Sequence, residues 1–144
     1  MFKTILVVCS GNICRSPIGE GLLRDRLRGK VQVSSAGCTA LVGHPADPLA
    51  VEVAADIAVV FGGHRARQID AELLAGQDLI LTMDQFHDDW LHKQFPQLRG
   101  RVFRMRHWCE DKTVEDPYRM PKFAFKHAFD GIAEGALRWI PKLG

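Results

Sequence analysis

The sequence predicts an α/β fold in three layers, with a central four-stranded parallel sheet flanked by helices. Three observations carry this. Continuous apolar runs, Ile5-Leu6-Val7-Val8 and Asp78-Leu79-Ile80-Leu81-Thr82-Met83, read as buried strands. Between such runs lie segments whose apolar residues recur at helical spacing and whose ends carry helix caps. The two kinds alternate along the chain, as they do in a sheet of parallel strands.

Taken in order, the first strand leads into a loop that opens at Cys9. Ser16 serves as an N-cap there, and Pro17 suits the first helical turn. That helix runs to about Arg28 with Gly29 as its stop. Ile18, Leu22, Leu23 and Leu27 form its apolar side, and Arg24, Arg26 and Arg28 face solvent. Val31-Gln32-Val33-Ser34-Ser35 is a second strand, ended by Ala36-Gly37. A loop through Gly43 and Pro45 leads to a helix over residues 48–55. Ala58 to Phe61 is apolar but short, is broken by Gly62-Gly63, and receives no assignment. Leu73-Leu74 belongs to a short helix before the Asp78–Met83 strand. Asp84 then caps a helix carrying Phe86, Trp90 and Leu91, closed by Pro96. Arg101 to Met105 is a weaker strand, nearer a sheet edge. A polar loop from His107 to Pro121 precedes the last helix. Its Phe125, Phe129, Ile132, Ala136 and Ile140 stand at helical spacing and argue for packing against the sheet.

At 144 residues, 47% apolar and 25% charged, the chain reads as one globular domain over residues 1–144. A formal charge of +2, with no basic stripe, gives no reason to expect nucleic acid. No stretch of about 18 apolar residues offers a membrane span. The start, Met1-Phe2-Lys3-Thr4, lacks a signal-peptide layout. A cytoplasmic, reducing setting is therefore expected, with Cys9, Cys14, Cys38 and Cys109 as thiols.

The chemistry concentrates after the first strand, in Cys9-Ser10-Gly11-Asn12-Ile13-Cys14-Arg15-Ser16-Pro17. In a parallel α/β sheet, ligands bind beyond the carboxyl ends of the strands. A strand–loop–helix junction there aims backbone N–H groups and a helix N-terminus at one spot, which makes an anion site. A thiol at that spot is a candidate nucleophile. The step from Cys9 to Arg15 lets the loop amides converge on one oxyanion while the guanidinium grips two oxygens. Gly11 permits close backbone approach, and Asn12 tolerates a left-handed backbone. The other common phosphate loop, G-x-x-x-x-G-K-[ST], is absent. Phosphoryl transfer to a thiolate also needs a proton donor for the leaving oxygen, a role that contributes about 10²–10⁴-fold. Glu110, Asp111, Glu115 and Asp116 all lie in a second carboxyl-end loop. Asp116 is the best placed, because Pro117 stiffens its turn, although Asp-Pro is also a common turn in its own right.

Cys9 to Ser16 together with Asp116-Pro117-Tyr118 resembles the low-molecular-weight protein tyrosine phosphatase family. The likeness extends through Ser35-Ala36-Gly37, Gly63 to Gln68 and Asp78 to Met83, covering essentially the whole chain. Leu41-Val42-Gly43 and Asp116-Pro117-Tyr118-Arg119 look like the bacterial branch that works beside tyrosine autokinases in capsule and exopolysaccharide export. The resemblance implies hydrolysis of protein phosphotyrosine without cofactor or metal. Cys9 is then the nucleophile that forms a cysteinyl phosphate, and Arg15 with the amides of residues 10 to 15 holds the phosphate oxygens. Asp116 is the general acid and then base, Ser16 donates a hydrogen bond to the Cys9 sulfur, and Asn12 braces the loop. Ile13 leans the substrate toward phosphotyrosine, because relatives acting on phosphoarginine resemble a threonine there. Leu41 and Tyr118 line the walls for the aromatic ring, and an aliphatic residue at 41 weakens affinity for generic aryl phosphates. Cys14 is placed to trap an oxidised Cys9 as a disulfide, or else is a small filler; Cys38 and Cys109 have no evident partner. The implied partner is the cytoplasmic tail of a membrane tyrosine autokinase, with no insertion of the phosphatase into the membrane.

Three other classes compete. A thiol-dependent arsenate reductase needs relay cysteines near the third strand, and residues 70 to 100 contain none. A phosphate-binding module without catalysis needs neither Cys9 nor Asp116. A metal protein needs clustered ligands, and the histidines at 44, 64, 87, 92, 107 and 127 show no zinc-like spacing with the cysteines. His64 and His107 read as loop or packing residues.

Overall fold

The computed structural model describes residues 2–55, 63–98 and 100–143. Strand β1 (Thr4–Cys9) lies inside the sheet, paired with β2 (Gln32–Gly37) on one side and β3 (Leu79–Thr82) on the other. Strand β4 (Val102–Arg104) pairs with β3. All pairings are parallel and the order is β2-β1-β3-β4. The weak strand expected near an edge does occupy an edge, with its residues half-buried.

The apolar run of β1 is continuous because both faces of the sheet are covered. Ile5 and Val7 point into a cluster with Ile18, Leu22 and Leu23 of α1 (Arg15–Leu27) and with Phe125, Phe129 and Ile132 of α5 (Lys122–Leu143), to the same side as Leu79 and Leu81. Leu6 and Val8 point the other way, onto Leu74 of α3 (Ala71–Ala75) and Leu91 of α4 (Gln85–Gln94). Adjacent strand residues face opposite sides, so helix layers above and below consume every side chain of the run. Helix α2 (Pro48–Ala55) buries Ala50, Val53 and Ala54.

Several local expectations change. Ser16 does not cap α1: Cys14 occupies the cap position, with no side-chain acceptor for the first-turn amides, and Ser16 is already helical. Its hydroxyl is drawn inward to Cys9 and Asn12 instead. The first-turn N–H groups are thus left without a side-chain acceptor at the mouth of the loop. At the other end Arg28 itself turns left-handed (φ 48°), one residue before Gly29 (φ 82°). Helix α5 lies along α1 and α2, and its core face includes Trp139, whose Nε1 donates to the Arg104 carbonyl at 3.1 Å. The Asp84 cap is as expected: its carboxylate accepts from His87 N, and Phe95 closes the helix ahead of Pro96. The unassigned piece from Ala58 to Phe61 lies outside the described residues.

Candidate active site

Cys9 ends β1, opposite Gly37 of β2. From there the backbone carbonyls turn outward one after another. Cys9 O accepts from Cys38 N, Ser10 O from Thr39 N, and Gly11 O from Leu41 N, each at 3.0 Å. Asn12 O accepts from His64 Nε2 at 2.6 Å, and Ile13 O from Asp47 N at 2.8 Å. A trans peptide holds its C=O and the following N–H antiparallel. Tying these carbonyls outward therefore turns the N–H groups of residues 10 to 14 inward, above the Cys9 sulfur. Gly37 is where the loop crosses β2, since a Cβ there would collide with the Ser10 carbonyl oxygen.

Asn12 supplies the reversal, with φ of 60°, and is fully buried. Its Oδ1 accepts from Arg67 N at 2.9 Å, which fixes the amide orientation. Nδ2 then donates to Ser16 Oγ at 2.7 Å and to Ser35 Oγ at 3.0 Å. Because Ser16 Oγ accepts from Asn12, its own hydrogen is free to point at Cys9 Sγ, 3.0 Å away. His64, expected as a loop or packing histidine, thus holds the loop by its ring.

Arg15 is 1% exposed. Its Nη1 donates to Asp84 Oδ2 at 2.8 Å and to the Val114 carbonyl at 2.7 Å. Val114 is held in turn by its own N–H, which donates to Met83 O at 2.8 Å. Arg15 Nε is buried with no hydrogen-bond partner among the described residues. One nitrogen is therefore committed to anchoring the fork, while Nε and Nη2 remain for two oxygens of an anion. Burial raises the Asp84 carboxyl, but the hydrogen bond from Arg15 and the nearby His87 and Arg15 charges more than offset it, leaving it below its ordinary value.

These groups meet in a cavity of about 170 Å³. Cys9, Ser10, Gly11, Ile13, Cys14 and Arg15 form its floor, and Thr39, Leu41, Asp116 and Tyr118 its walls. Asn12 and Ser16 stand behind the floor, fully buried. Of the four candidate acids, Asp116 alone lines this cavity; Asp111 and Glu115 line another, of about 210 Å³, against α5. Asp116 Oδ2 lies 3.7 Å from Arg15 Nη2, and Oδ1 accepts from Tyr118 N at 3.1 Å. A Cβ on Gly11 would meet only Ile13 and Leu41 at ordinary distances, so no protein atom demands glycine there. All four cysteines are free and buried. Burial, then the nearby Asp47 and Cys9, pushes the Cys14 thiol upward. Burial likewise lifts Cys38, with Cys9 and Asp84 adding to it, to about 12.

Asp84, His87, Thr39 and Val114 were not among the candidates. Asp84 left a signal in the sequence, as a helix cap after an apolar strand, but a cap position does not reveal a second partner. Val114 contributes a backbone oxygen, which no residue type announces.

The profile of the family described as low molecular weight phosphotyrosine protein phosphatase matches residues 4–144. The chain belongs to this family. It is 45% identical over 142 residues to the low molecular weight protein-tyrosine-phosphatase Etp of Escherichia coli, covering 99% of this chain and 95% of that protein. The tyrosine phosphatase Wzb of Escherichia coli, solved in complex with sulphate, superposes with a TM-score of 0.96 at 42% identity, all of both chains being covered. Vibrio vulnificus Wzb in complex with benzylphosphonate gives 0.95 at 41% identity, covering 99% of this chain and 100% of that one. This phosphatase has the parallel four-stranded sheet with its nucleophile candidate at the end of the first strand. No helix among its described residues is long and apolar enough to cross a membrane.

Proposed function

We propose that this chain, as a single domain over residues 1–144, hydrolyses protein phosphotyrosine through a cysteinyl-phosphate intermediate. One observation carries the reading: Cys9, the uncommitted edge of Arg15 and the Asp116 carboxylate line one cavity. In the first step the Cys9 sulfur attacks phosphorus, the S–P bond forms and the P–O bond to tyrosine breaks. Asp116 gives its proton to the departing phenolic oxygen. The inward amides of the loop and Arg15 hold the equatorial oxygens as charge redistributes. In the second step Asp116 takes a proton from water, the water oxygen attacks phosphorus, and the S–P bond breaks to give phosphate and the Cys9 thiolate.

Ile13, Leu41 and Tyr118 give the cavity apolar and aromatic walls suited to a phenyl ring. A relative bound to benzylphosphonate supports the same class of ligand. The substrate is read as the tyrosine-phosphorylated cytoplasmic tail of a membrane autokinase controlling capsule or exopolysaccharide production, and the phosphatase as cytoplasmic. The likeness of Leu41-Val42-Gly43 and Asp116 to Arg119 to that branch supports both.

The test is hydrolysis of p-nitrophenyl phosphate and of a phosphotyrosine peptide by the wild type and by Cys9→Ser. Loss of turnover with retained binding of inorganic phosphate is expected; full activity in Cys9→Ser would end the proposal. Capture of a phosphorylated kinase tail by Cys9→Ser tests the partner, and capture of other phosphoproteins without it would remove the kinase.

A further inference from the structure

We propose that the Ser10 hydroxyl is an oriented phosphate-binding donor of this cavity, and that His87 is the positioning residue that aims it. The inference rests on the phosphatase reading above. His87 is fully buried on α4. Its Nδ1 receives the backbone N–H of Met83 at 3.2 Å and that of Asp84 at 3.3 Å. Both are donors, so Nδ1 must present its lone pair, and the ring proton sits on Nε2. Asp84 Oδ1 also lies 3.3 Å from Nδ1, but that oxygen accepts from the His87 backbone N–H and requires no ring proton.

Nε2 stands 3.0 Å from Ser10 Oγ. With the tautomer set, the direction of this bond follows: the ring donates and the hydroxyl oxygen accepts. A serine has one hydroxyl hydrogen, and it cannot be spent on a nitrogen that is itself a donor. Ser10 lines the cavity beside Cys9, so that hydrogen is free for an oxygen bound there. The ring is faced by Arg15 from α1, by Asp84 at its own helix cap, by Asp88 from α4 and by Asp116 from the acid loop. Burial dominates, Arg15 adds to it, and together they outweigh the carboxylates, holding the ring to about 4. At neutral pH the tautomer that makes Ser10 a donor therefore persists.

The arrangement differs from the rest of the floor in kind. Backbone amides and Arg15 are fixed by the fold, whereas a hydroxyl rotates unless something holds it. His87 removes that freedom in advance, which is the part of binding that preorganisation supplies.

The experiment measures competitive inhibition of p-nitrophenyl phosphate hydrolysis by inorganic phosphate at pH 7. Ser10→Ala is expected to raise the inhibition constant about tenfold, the lower end of what a hydrogen bond to a charged group contributes. His87→Phe is expected to raise it about threefold by freeing the hydroxyl, and to add nothing further in the Ser10→Ala background. A ¹⁵N spectrum of wild-type His87 should show a protonated Nε2 and a bare Nδ1, and the readout that a merely structural role would not give is the disappearance of the His87 effect once Ser10 is alanine. An inhibition constant within about twofold of wild type in Ser10→Ala, a ring proton on Nδ1, or a His87 effect that survives without Ser10 would each overturn the inference. Should His87→Phe fail to fold, the Ser10→Ala constant and the wild-type spectrum still decide. Unchanged inhibition in Ser10→Ala beside an inactive Cys9→Ser removes only this inference, whereas an active Cys9→Ser removes the phosphatase reading itself.

Discussion

Arg15 Nη1 donates to Asp84 Oδ2 at 2.8 Å, and the other oxygen of the same carboxylate caps α4 through His87 N. One side chain therefore sets the pose of the buried guanidinium and starts a helix. The two duties separate by substitution. Asparagine caps a helix as well as aspartate does but carries no charge. Asp84→Asn is expected to lower kcat/KM about 10- to 100-fold while costing about 1–2 kcal/mol of stability, because Arg15 keeps a polar neighbour but loses its counter-ion. Asp84→Ala should lose about 1 kcal/mol more in urea unfolding, with little further loss of activity. Equal unfolding midpoints for the two variants would show that the cap contributes nothing.

Acid should weaken the fold in two stages. His87 is held neutral in the folded state down to about 4, against an ordinary 6.5. Between those values the unfolded chain binds the extra proton, so stability falls as pH falls, by at most about 1.4 kcal/mol per pH unit. Asp84 is held below its ordinary 3.8, so its contribution is present at neutral pH and is lost on further acidification through the folded value. Urea midpoints at a series of pH values check both, and His87→Phe should flatten the upper stage and shrink the lower one, where the hydrogen bond and charge of Arg15 still hold Asp84 down.

Asp116→Asn separates leaving groups. Tyrosine departs as a poor leaving group and needs the proton, while p-nitrophenolate needs it less. The substitution should cut kcat for a phosphotyrosine peptide by about 10²–10³-fold and for p-nitrophenyl phosphate by clearly less. Equal losses on the two substrates would move the proton donor to another carboxylate, and Asp111→Asn and Glu115→Gln would then be assayed in turn.

Two glycines of the site should behave oppositely. A Cβ at Gly37 runs into the backbone oxygen of Ser10, which no side-chain rotation relieves. Gly37→Ala is expected to cost about 2–3 kcal/mol and to displace the loop, with activity falling alongside. Gly11→Ala meets only Ile13 at 3.7 Å and Leu41 at 3.8 Å, so its thermal midpoint should match the wild type. Any loss of activity in Gly11→Ala then reports the bound substrate rather than the fold.

The elements that could be read from sequence were those whose cause is local. Ile5 to Val8 forms a strand buried on both faces, Asp84 starts a helix, and the spacing of Phe125, Phe129 and Ile132 marks a helix face. The expectation that Asn12 would turn left-handed rested on residue type and loop context, and its φ of 60° agrees. What could not be read depends on distant partners. Ser16 looks like a cap until Cys9 and Asn12, brought near by the loop, claim its hydroxyl. His87 carries no sequence signal of its role until the fold places Ser10 beside its ring, 77 positions away in sequence. The Arg15 cage includes the carbonyl of Val114, 99 residues on, and no pattern of residue types encodes a backbone oxygen.

The central place of β1 in the sheet has a consequence for how the protein is made. The Cys9 loop is made before β2 and β3, yet β1 finishes its pairing only once Leu79 to Leu81 have emerged. Arg15 gains Asp84 shortly after that, but it waits for Val114 and Asp116 from the last third of the chain. A nascent chain that ends before Val114 thus carries the thiol and the arginine but neither the carbonyl that seats the guanidinium nor the proposed acid, Asp116. Synthesis order alone keeps the candidate site incomplete until Val114 and Asp116 have been made.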